Sequence, residues 1–133
     1  MPARQRAPHV LPWSSLHSLD HQNFACTIVQ WRCRFCPFAQ RTWIALNEKG
    51  IKYSLHEVAI KNPKTGLWHQ LDEKPQWFLN LNPLGKVPTL AYKEGETTHS
   101  VYESNICNEF LEDYQQEPTL FATHPVAKAW ERT

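Results

Sequence analysis

One short stretch of the sequence has clear chemical potential, CRFCPFAQR, which begins at Cys33 and contains a second cysteine, Cys36. The thiolate is the nucleophilic form of cysteine, and the free amide groups and partial positive charge at a helix N-terminus stabilise it. Pro37 is typical of a first helical position, because its φ is close to the helical value and it has no N–H to leave unpaired. We therefore expect Cys36 to be the reactive thiol at the start of a helix, with Cys33 in the loop before it.

Three arginines lie close to the two cysteines: Arg32 directly before the stretch, and Arg34 and Arg41 within it. Positive charge beside a cysteine favours its thiolate, so they can support the reactivity of Cys36. Arginines at such spacing are equally typical of a solvated surface. Their role stays open at the level of the sequence.

The other two cysteines are predicted to be inert. Cys26 lies in an apolar, β-branched run, and Cys107 lies on the apolar face of a predicted helix, where free cysteine behaves as a small hydrophobe. A four-cysteine zinc site would need a second closely spaced pair, and the histidines lack the spacing of metal ligands. We predict no metal site.

Hydrophobic periodicity and turn residues predict alternating strands and helices. The predicted elements are the strand FACTIVQW, the helix CPFAQRTWIALNEKG, the strand IKYSLHEVAI, a short helical turn at QWFLNLN, the strands GKVPTLAYK and THSVYE, and the helix SNICNEFLEDY. A long connection that contains Pro and Gly, KNPKTGLWHQLDEKP, precedes the helical turn. The order is βαβ followed by αββα, which indicates the α/β class.

The last of these helices is predicted to be amphipathic, with Ser104 as a cap at its N-terminus. Its predicted apolar face contains Ile106, Cys107, Phe110, Leu111 and Tyr114. A further helix-like run begins at Pro125, and an apolar helix face with nothing after it suggests the loss of a partner domain.

Pro88, in the segment KVPT, opens a predicted strand, where proline removes a ladder hydrogen bond. A cis bond between Val87 and Pro88 would explain it and would leave the Val87 backbone available to pair with an extended peptide ligand. The alternative is a proline at the first residue of an edge strand. Both alternatives remain open here.

Composition narrows the class of protein. The 133 residues suffice for one modest core, and 41% hydrophobic with 20% charged residues is typical of a globular chain. The formal net charge of +1 provides no electrostatic reason to expect nucleic acid or an anionic membrane as partner. No apolar run has the length of a membrane-spanning helix or the pattern of a signal peptide, so an intracellular protein is expected.

Residues 1–22 are predicted to form a disordered N-terminal extension, since they contain three prolines and no sustained apolar period. Arg4 and Arg6, with serines nearby and no acidic residue before Asp20, faintly resemble an organelle transit peptide.

Three motifs, RFCPFAQR, EKPQWFLNLNPLGKVPTL and VYESNICNEFLEDY, together resemble the N-terminal thioredoxin-fold domain of cytosolic glutathione transferases, closest to the cysteine-containing omega class. The match covers residues 24 to 125. The resemblance implies a thioredoxin-like α/β fold, with a mixed four-stranded sheet and flanking helices. It implies a domain over residues 23–115, then a linker and the truncated start of a helical C-terminal domain over residues 116–133.

The resemblance also implies that glutathione is the co-substrate, with Cys36 as the catalytic residue that forms a mixed disulfide with it. The implied glutathione-binding residues are the aromatic Phe38 beside the thiol, Lys74 at the glycyl end, Val87 and Pro88 at the cysteinyl part, and Glu103 and Ser104 at the γ-glutamyl group. A carboxylate at that last position would be favoured by a helix N-terminus. The connection from Asn62 to Glu73, which precedes Lys74, is longer than in the omega pattern.

Ala39 stands where two-cysteine glutaredoxins have a resolving cysteine, which favours a monothiol route in which a second glutathione resolves the mixed disulfide. Two alternatives are conjugation of glutathione to electrophiles and a non-enzymatic glutathione-binding or redox module. Cys33 is either a bystander or an upstream resolving thiol. The expected partners are glutathione and small-molecule or protein mixed disulfides, without nucleic acid or stable membrane insertion. A homodimer is left open if a full-length form exists, and the expected location is the cytoplasm.

Overall fold

The computed structural model describes residues 26–31 and 35–131. The predicted extension over residues 1–22 and the residue Cys33 lie outside these ranges. Among the described helices, none combines the length and the apolar character needed to cross a membrane.

The described chain contains four strands and four α-helices in the predicted order. They are β1 (Cys26–Trp31), α1 (Pro37–Glu48), β2 (Tyr53–Val58), α2 (Gln76–Leu81), β3 (Thr89–Glu94), β4 (Thr97–Tyr102), α3 (Ser104–Tyr114) and α4 (Pro125–Trp130), with a short 3₁₀ helix at Leu71–Glu73 before α2. The βαβ and αββα order predicted from periodicity is confirmed.

The four strands form one mixed sheet in the order β2-β1-β3-β4. Strand β1 pairs in parallel with β2 and antiparallel with β3, and β3 pairs antiparallel with β4. The parallel pair needs a crossover, which α1 supplies, whereas β3 and β4 are joined directly by the short turn at Gly95. The predicted thioredoxin-like fold is confirmed.

Two apolar clusters cover the two faces of the sheet, because successive side chains of a strand point to opposite faces. Ile28 of β1 packs in a cluster with residues of α1, β3 and α3, which include Leu46, Leu90 and Leu111. Its neighbour Val29 packs in a second cluster with Ala39, Val58, Phe78 and Val87. The second cluster thus joins α2 to the start of α1, and the first contains residues from the later part of α1 and from α3.

The apolar face of α3 is narrower than predicted. Cys107, Phe110 and Leu111 are buried and Tyr114 is half-buried, but Ile106 is 52% exposed. The residues at positions 107, 110, 111 and 114 form a complete i, i+3, i+4, i+7 stripe, and Ile106 lies about 100° around the helix from its first member. The prediction that Ile106 belongs to the buried face is therefore wrong.

Lys49, predicted only as a residue near the end of α1, is fully buried. It connects the end of α1 with the segment that follows α3. Its Nζ donates hydrogen bonds to the carbonyl oxygens of Gln115 and Pro118, at 2.6 and 2.8 Å, and lies 2.7 Å from a carboxylate oxygen of Glu112. An ammonium group has three N–H donors, so these three acceptors satisfy it. The Glu112 carboxylate also accepts the backbone N–H of Leu120.

Candidate functional site

The fold brings the segments that contain the predicted site residues together at one edge of the sheet, namely the edge formed by the ends of the strands. Strands β1 and β4 end there and β3 begins there, since Thr89 pairs with both Val29 and Tyr102. The segment after β1 leads to the N-terminus of α1, and the residue after Tyr102 is the N-cap residue of α3. The start of α1, the Val87–Pro88 segment and the start of α3 therefore meet at the same edge.

Cys36 is the N-cap residue of α1, with an extended backbone (φ −77°, ψ 114°) and Pro37 at the first helical position, as predicted. Its carbonyl oxygen accepts the first helical hydrogen bond, from the N–H of Gln40 at 3.0 Å. Its side chain makes no capping hydrogen bond, is half-buried and packs against the cluster that contains Val87. The sulfur is thus both reachable from solvent and close to the start of β3.

The Val87–Pro88 peptide bond is cis, and Val87 is buried. Strand β3 begins at Thr89 and lies between β1 and β4, so the alternative of a proline at an edge strand is wrong. Within the described residues, neither backbone group of Val87 makes a hydrogen bond.

Asn82, which the sequence analysis missed, holds the loop before Val87 in place. It is 1% exposed, and its side-chain nitrogen donates to the Lys86 carbonyl oxygen at 2.9 Å and to the Thr89 hydroxyl at 3.1 Å. Its side-chain oxygen accepts the backbone N–H of Leu84 at 3.0 Å. An asparagine before proline is a turn signal that could have marked this residue.

The segment Glu103–Ser104 begins α3, with a different division of roles from the one predicted. Glu103 is the N-cap residue and Ser104 the first helical residue, and no side chain caps this end. The prediction of Ser104 as the cap is therefore wrong. Glu103 has a φ of 72°, a region that non-glycine residues rarely occupy and that is often found at functional sites. Ser104 is buried beside the edge, and Glu103 is exposed.

Lys74 lies between the 3₁₀ helix and α2, and its Nζ donates to the carbonyl oxygen of Gly85 at 2.8 Å. Burial, with a smaller contribution from the neighbouring charge of Lys86, lowers the pKa of Lys74. A Cβ atom at Gly85 would lie 2.8 Å from side-chain atoms of Leu71 and of Lys74. The long connection thus brings Lys74 against the loop that leads to Val87.

The connection from Asn62 to Glu73 has its own ordered structure. Lys61 and Trp68 form an isolated antiparallel bridge, and the N–H of Asn62 donates to the carbonyl oxygen of Leu67 at 2.8 Å. Glu73 closes a capping box on the N–H of Gln70 at 2.8 Å and also accepts from the side chain of Asn62. Its pKa is lowered by the hydrogen bond from Gln70 and then by that from Asn62.

Phe38 and Arg41 are exposed residues near the N-terminus of α1. Phe38 is 56% exposed, and the guanidinium carbon of Arg41 lies 5.7 Å from the centre of its ring. Nη1 of Arg41 donates to the side-chain oxygen of Asn105 at 3.4 Å, which connects α1 with the first turn of α3. The sequence analysis noted Arg41 but had no signal for Asn105.

The other described cysteines, Cys26 and Cys107, are buried, as predicted. Cys26 is 3% exposed and Cys107 0%, and burial raises the pKa of each thiol to about 12. Within the described ranges, no group of three or more His, Cys, Asp or Glu residues is arranged to hold a metal ion. Of the cysteines in the described part of the chain, Cys36 is the one that solvent can reach.

Comparisons with known proteins identify the family. The sequence model of the family described as "Glutathione S-transferase, N-terminal domain" matches residues 35–114. The chain is 42% identical to "Glutathione S-transferase omega-1" from Mus musculus over 96 residues, which are 72% of this chain and 34% of that protein. It is 37% identical to a "Probable glutathione transferase" from Aplysia californica over 99 residues, which are 74% of this chain and 91% of that protein.

Among solved structures, the crystal structure of glutathione transferase Omega 3C from Trametes versicolor superposes with a TM-score of 0.60 at 34% identity, over 90% of this chain and 46% of that one. The chain spans about a third of the length of the mammalian omega relatives that it matches. The chain belongs to the glutathione S-transferase family, of which it contains the thioredoxin-like N-terminal domain with omega-class relatives.

Proposed function

We propose that this chain is a glutathione-dependent thiol transferase that works by a monothiol route through Cys36. One observation carries the proposal: a half-buried cysteine begins α1, while the position one helical turn later holds Ala39, which is 2% exposed and packed in the core. No thiol stands at Ala39 to form an internal disulfide with Cys36. We therefore assign the resolving role to a small-molecule thiol, with Cys33 as the alternative that the Cys33→Ser variant tests.

The proposed reaction has two exchange steps. The Cys36 thiolate attacks the glutathionyl sulfur of a mixed disulfide, a Cys36–glutathione disulfide forms, and the other thiol leaves as a thiolate that takes a proton from water. A second glutathione thiolate then attacks the glutathionyl sulfur, glutathione disulfide is released, and Cys36 leaves as a thiolate. The sulfur of the incoming glutathione is oxidised from thiol to disulfide, and the sulfur of the departing substrate thiol is reduced from disulfide to thiol. The transferred glutathionyl sulfur stays at the disulfide level throughout, so the electrons balance.

The free amide groups of the first turn of α1 favour the thiolate in both steps. No acidic side chain lies within that first turn, so no carboxylate there opposes the positive end of the helix dipole. Pro37 contributes no N–H, and the N–H of Gln40 is already bonded to the Cys36 carbonyl oxygen. The sulfur would therefore be stabilised by the helix end rather than by a paired base.

The bound glutathione would extend along the edge of the sheet. The backbone groups of Val87, next to Pro88, make no hydrogen bond within the described residues and would pair with its cysteinyl residue, as strands pair with extended peptides. Glu103 and Ser104 would hold the γ-glutamyl group at the start of α3, and Phe38 would contact the sulfur end. Lys74 would meet the glycyl carboxylate from its position beside Gly85.

The decisive experiment measures glutathione-dependent reduction of a small glutathione mixed disulfide by the chain, by Cys36→Ser and by Cys33→Ser. We expect Cys36→Ser to lose at least about 100-fold in rate, because a serine hydroxyl is not a nucleophile towards disulfides at neutral pH. Cys33→Ser should retain activity if Cys33 is a bystander. Equal activity of the unaltered chain and Cys36→Ser would contradict the proposal, and conjugation of glutathione to an electrophile without disulfide reduction would favour the transferase alternative.

A cytoplasmic location fits a reaction that draws on reduced glutathione, and protein or small-molecule mixed disulfides are its proposed partners.

A further inference from the structure

We propose that Arg41 selects the resolving thiol: it binds a carboxylate of the incoming thiol, so that an anionic thiol reduces the Cys36 mixed disulfide faster than a neutral one. This inference rests on the proposed function. It concerns the second exchange step, after the first glutathione is already held covalently by Cys36.

Arg41 is directed towards the reactive end of α1. Side chains of a helix tilt towards its N-terminus, and the guanidinium carbon of Arg41 accordingly lies 5.7 Å from the ring centre of Phe38, two residues after Cys36. Its Nη1 also donates to the side-chain oxygen of Asn105 at 3.4 Å, next to Ser104 in the first turn of α3. The guanidinium thus lies where the N-terminal ends of α1 and α3 meet.

The charge of Arg41 has no carboxylate partner within the described part of the chain. The ion pairs found there join Lys49 to Glu112 and His99 to Glu94. A guanidinium carries five N–H donors, and the Asn105 oxygen takes one of them at a long distance. Since Arg41 is exposed, its remaining donors face solvent. A planar guanidinium that rests on an aromatic ring is suited to binding a carboxylate through two parallel hydrogen bonds.

Arg41 lies on the side from which the resolving thiol would approach in the second step. Once Cys36 carries glutathione, the edge at Val87, Glu103 and Ser104 would be occupied, so the second thiol has to approach from the solvent side. Phe38 and Arg41 form that side of the helix end. The incoming thiolate attacks the glutathionyl sulfur, its new bond to that sulfur forms as the bond to Cys36 breaks, and Cys36 leaves as a thiolate. A carboxylate on Arg41 would hold the incoming thiol near this sulfur.

The test is a single-turnover measurement of the second step. Cys36 is first loaded with glutathione from glutathione disulfide, the excess is removed, and the loaded chain is mixed with glutathione or with glutathione diethyl ester. The ester has the same tripeptide and thiol but no free carboxylate. Three chains are compared: the unaltered one, Arg41→Gln, and Lys52→Gln, which removes an exposed positive charge beyond the opposite end of α1.

At low ionic strength we expect Arg41→Gln to slow the reaction with glutathione about fivefold, which is within the range typical of an exposed charge pair. The rate of the reaction with the ester should change less than about twofold. Lys52→Gln should change neither. Equal slowing with both thiols, or no slowing with either, would overturn the inference.

A second measurement does not depend on any variant. Screening weakens contacts between exposed charges, so the preference of the unaltered chain for glutathione over its ester should fall towards one as ionic strength rises from about 0.01 to about 0.5 M. A preference that does not change with salt would contradict a role for the Arg41 charge. Failure of the proposed function would look different, because Cys36 would then not accept glutathione in the loading step.

Discussion

The buried ion pair between Lys49 and Glu112 leads to the sharpest stability prediction. Replacement Lys49→Met keeps most of the apolar stem but removes the donor to Gln115, Pro118 and Glu112. Breaking a buried pair by removing one partner costs about 3–5 kcal/mol. The Glu112 side chain is 13% exposed and keeps its hydrogen bond from Leu120, so we expect the low end, about 3 kcal/mol.

The loss of unfolding free energy in Lys49→Met should depend on pH, because Glu112 is ionised only above its pKa. Burial alone would raise the pKa of this carboxyl, but hydrogen bonds from Lys49, Thr119 and Leu120 outweigh it, so the pKa lies below its ordinary value. A carboxyl with a lowered folded-state pKa stabilises the fold above its unfolded pKa of about 4.3, and that stability is lost as pH falls through the folded-state value. The penalty of Lys49→Met should therefore shrink below about pH 4.

The assay is urea unfolding followed by tryptophan fluorescence at pH 7 and at pH 3, with linear extrapolation to water. Lys52→Met is the matched control, since Lys52 is exposed and close in sequence; its free energy of unfolding should change by less than about 0.5 kcal/mol. In a double-mutant cycle with Glu112→Gln, the two residues should couple by about 1–3 kcal/mol. A Lys49→Met penalty that is the same at both pH values, with no coupling to Glu112→Gln, would refute the ion-pair reasoning and leave the two carbonyl hydrogen bonds as its cause.

Three further predictions follow from buried groups. Gln30 is 1% exposed, and neither polar atom of its side-chain amide has a hydrogen-bond partner within the described ranges. Gln30→Leu should therefore raise the free energy of unfolding by about 1–3 kcal/mol in the same urea assay. A loss of stability would show that the amide is satisfied. Gly85→Ala should cost about 1–3 kcal/mol more than Gly66→Ala, since both glycines have positive φ but only Gly85 lacks room for a Cβ; equal costs would mean that Leu71 and Lys74 yield freely. Iodoacetamide at pH 7 should label Cys36 in the folded chain but label Cys26 and Cys107 only after unfolding, because burial raises the pKa of those two thiols to about 12. Mass spectrometry of the peptides measures the labelling. Labelling of Cys107 before unfolding would contradict its burial in the core.

Local sequence signals were sufficient for the elements and for part of the site. The periods of apolar residues predicted the order of strands and helices, and Pro37 predicted the start of α1 directly after Cys36. These predictions succeed because helix period, strand period and the constraints of proline act over a few residues. The positions of Cys26 and Cys107 in the core followed from the same patterns.

Contacts between segments distant in the chain had no such signal. The burial of Lys49 depends on acceptors more than sixty residues later, and the placement of Arg41 depends on Asn105 in another helix. The exposure of Ile106 and the central position of β3, which removed the edge-strand reading of Pro88, depend on which neighbours pack where.

By itself, then, the sequence determined the elements, the position of Cys36 at a helix N-terminus and the family resemblance, because each depends on residues that lie close together along the chain. Only the tertiary structure decided that the start of α1, the cis bond before β3 and the start of α3 meet at one edge, since strand order and direction place them there. The same structure decided which charges are paired and which face solvent, because pairing requires side chains from different elements to lie within hydrogen-bond distance.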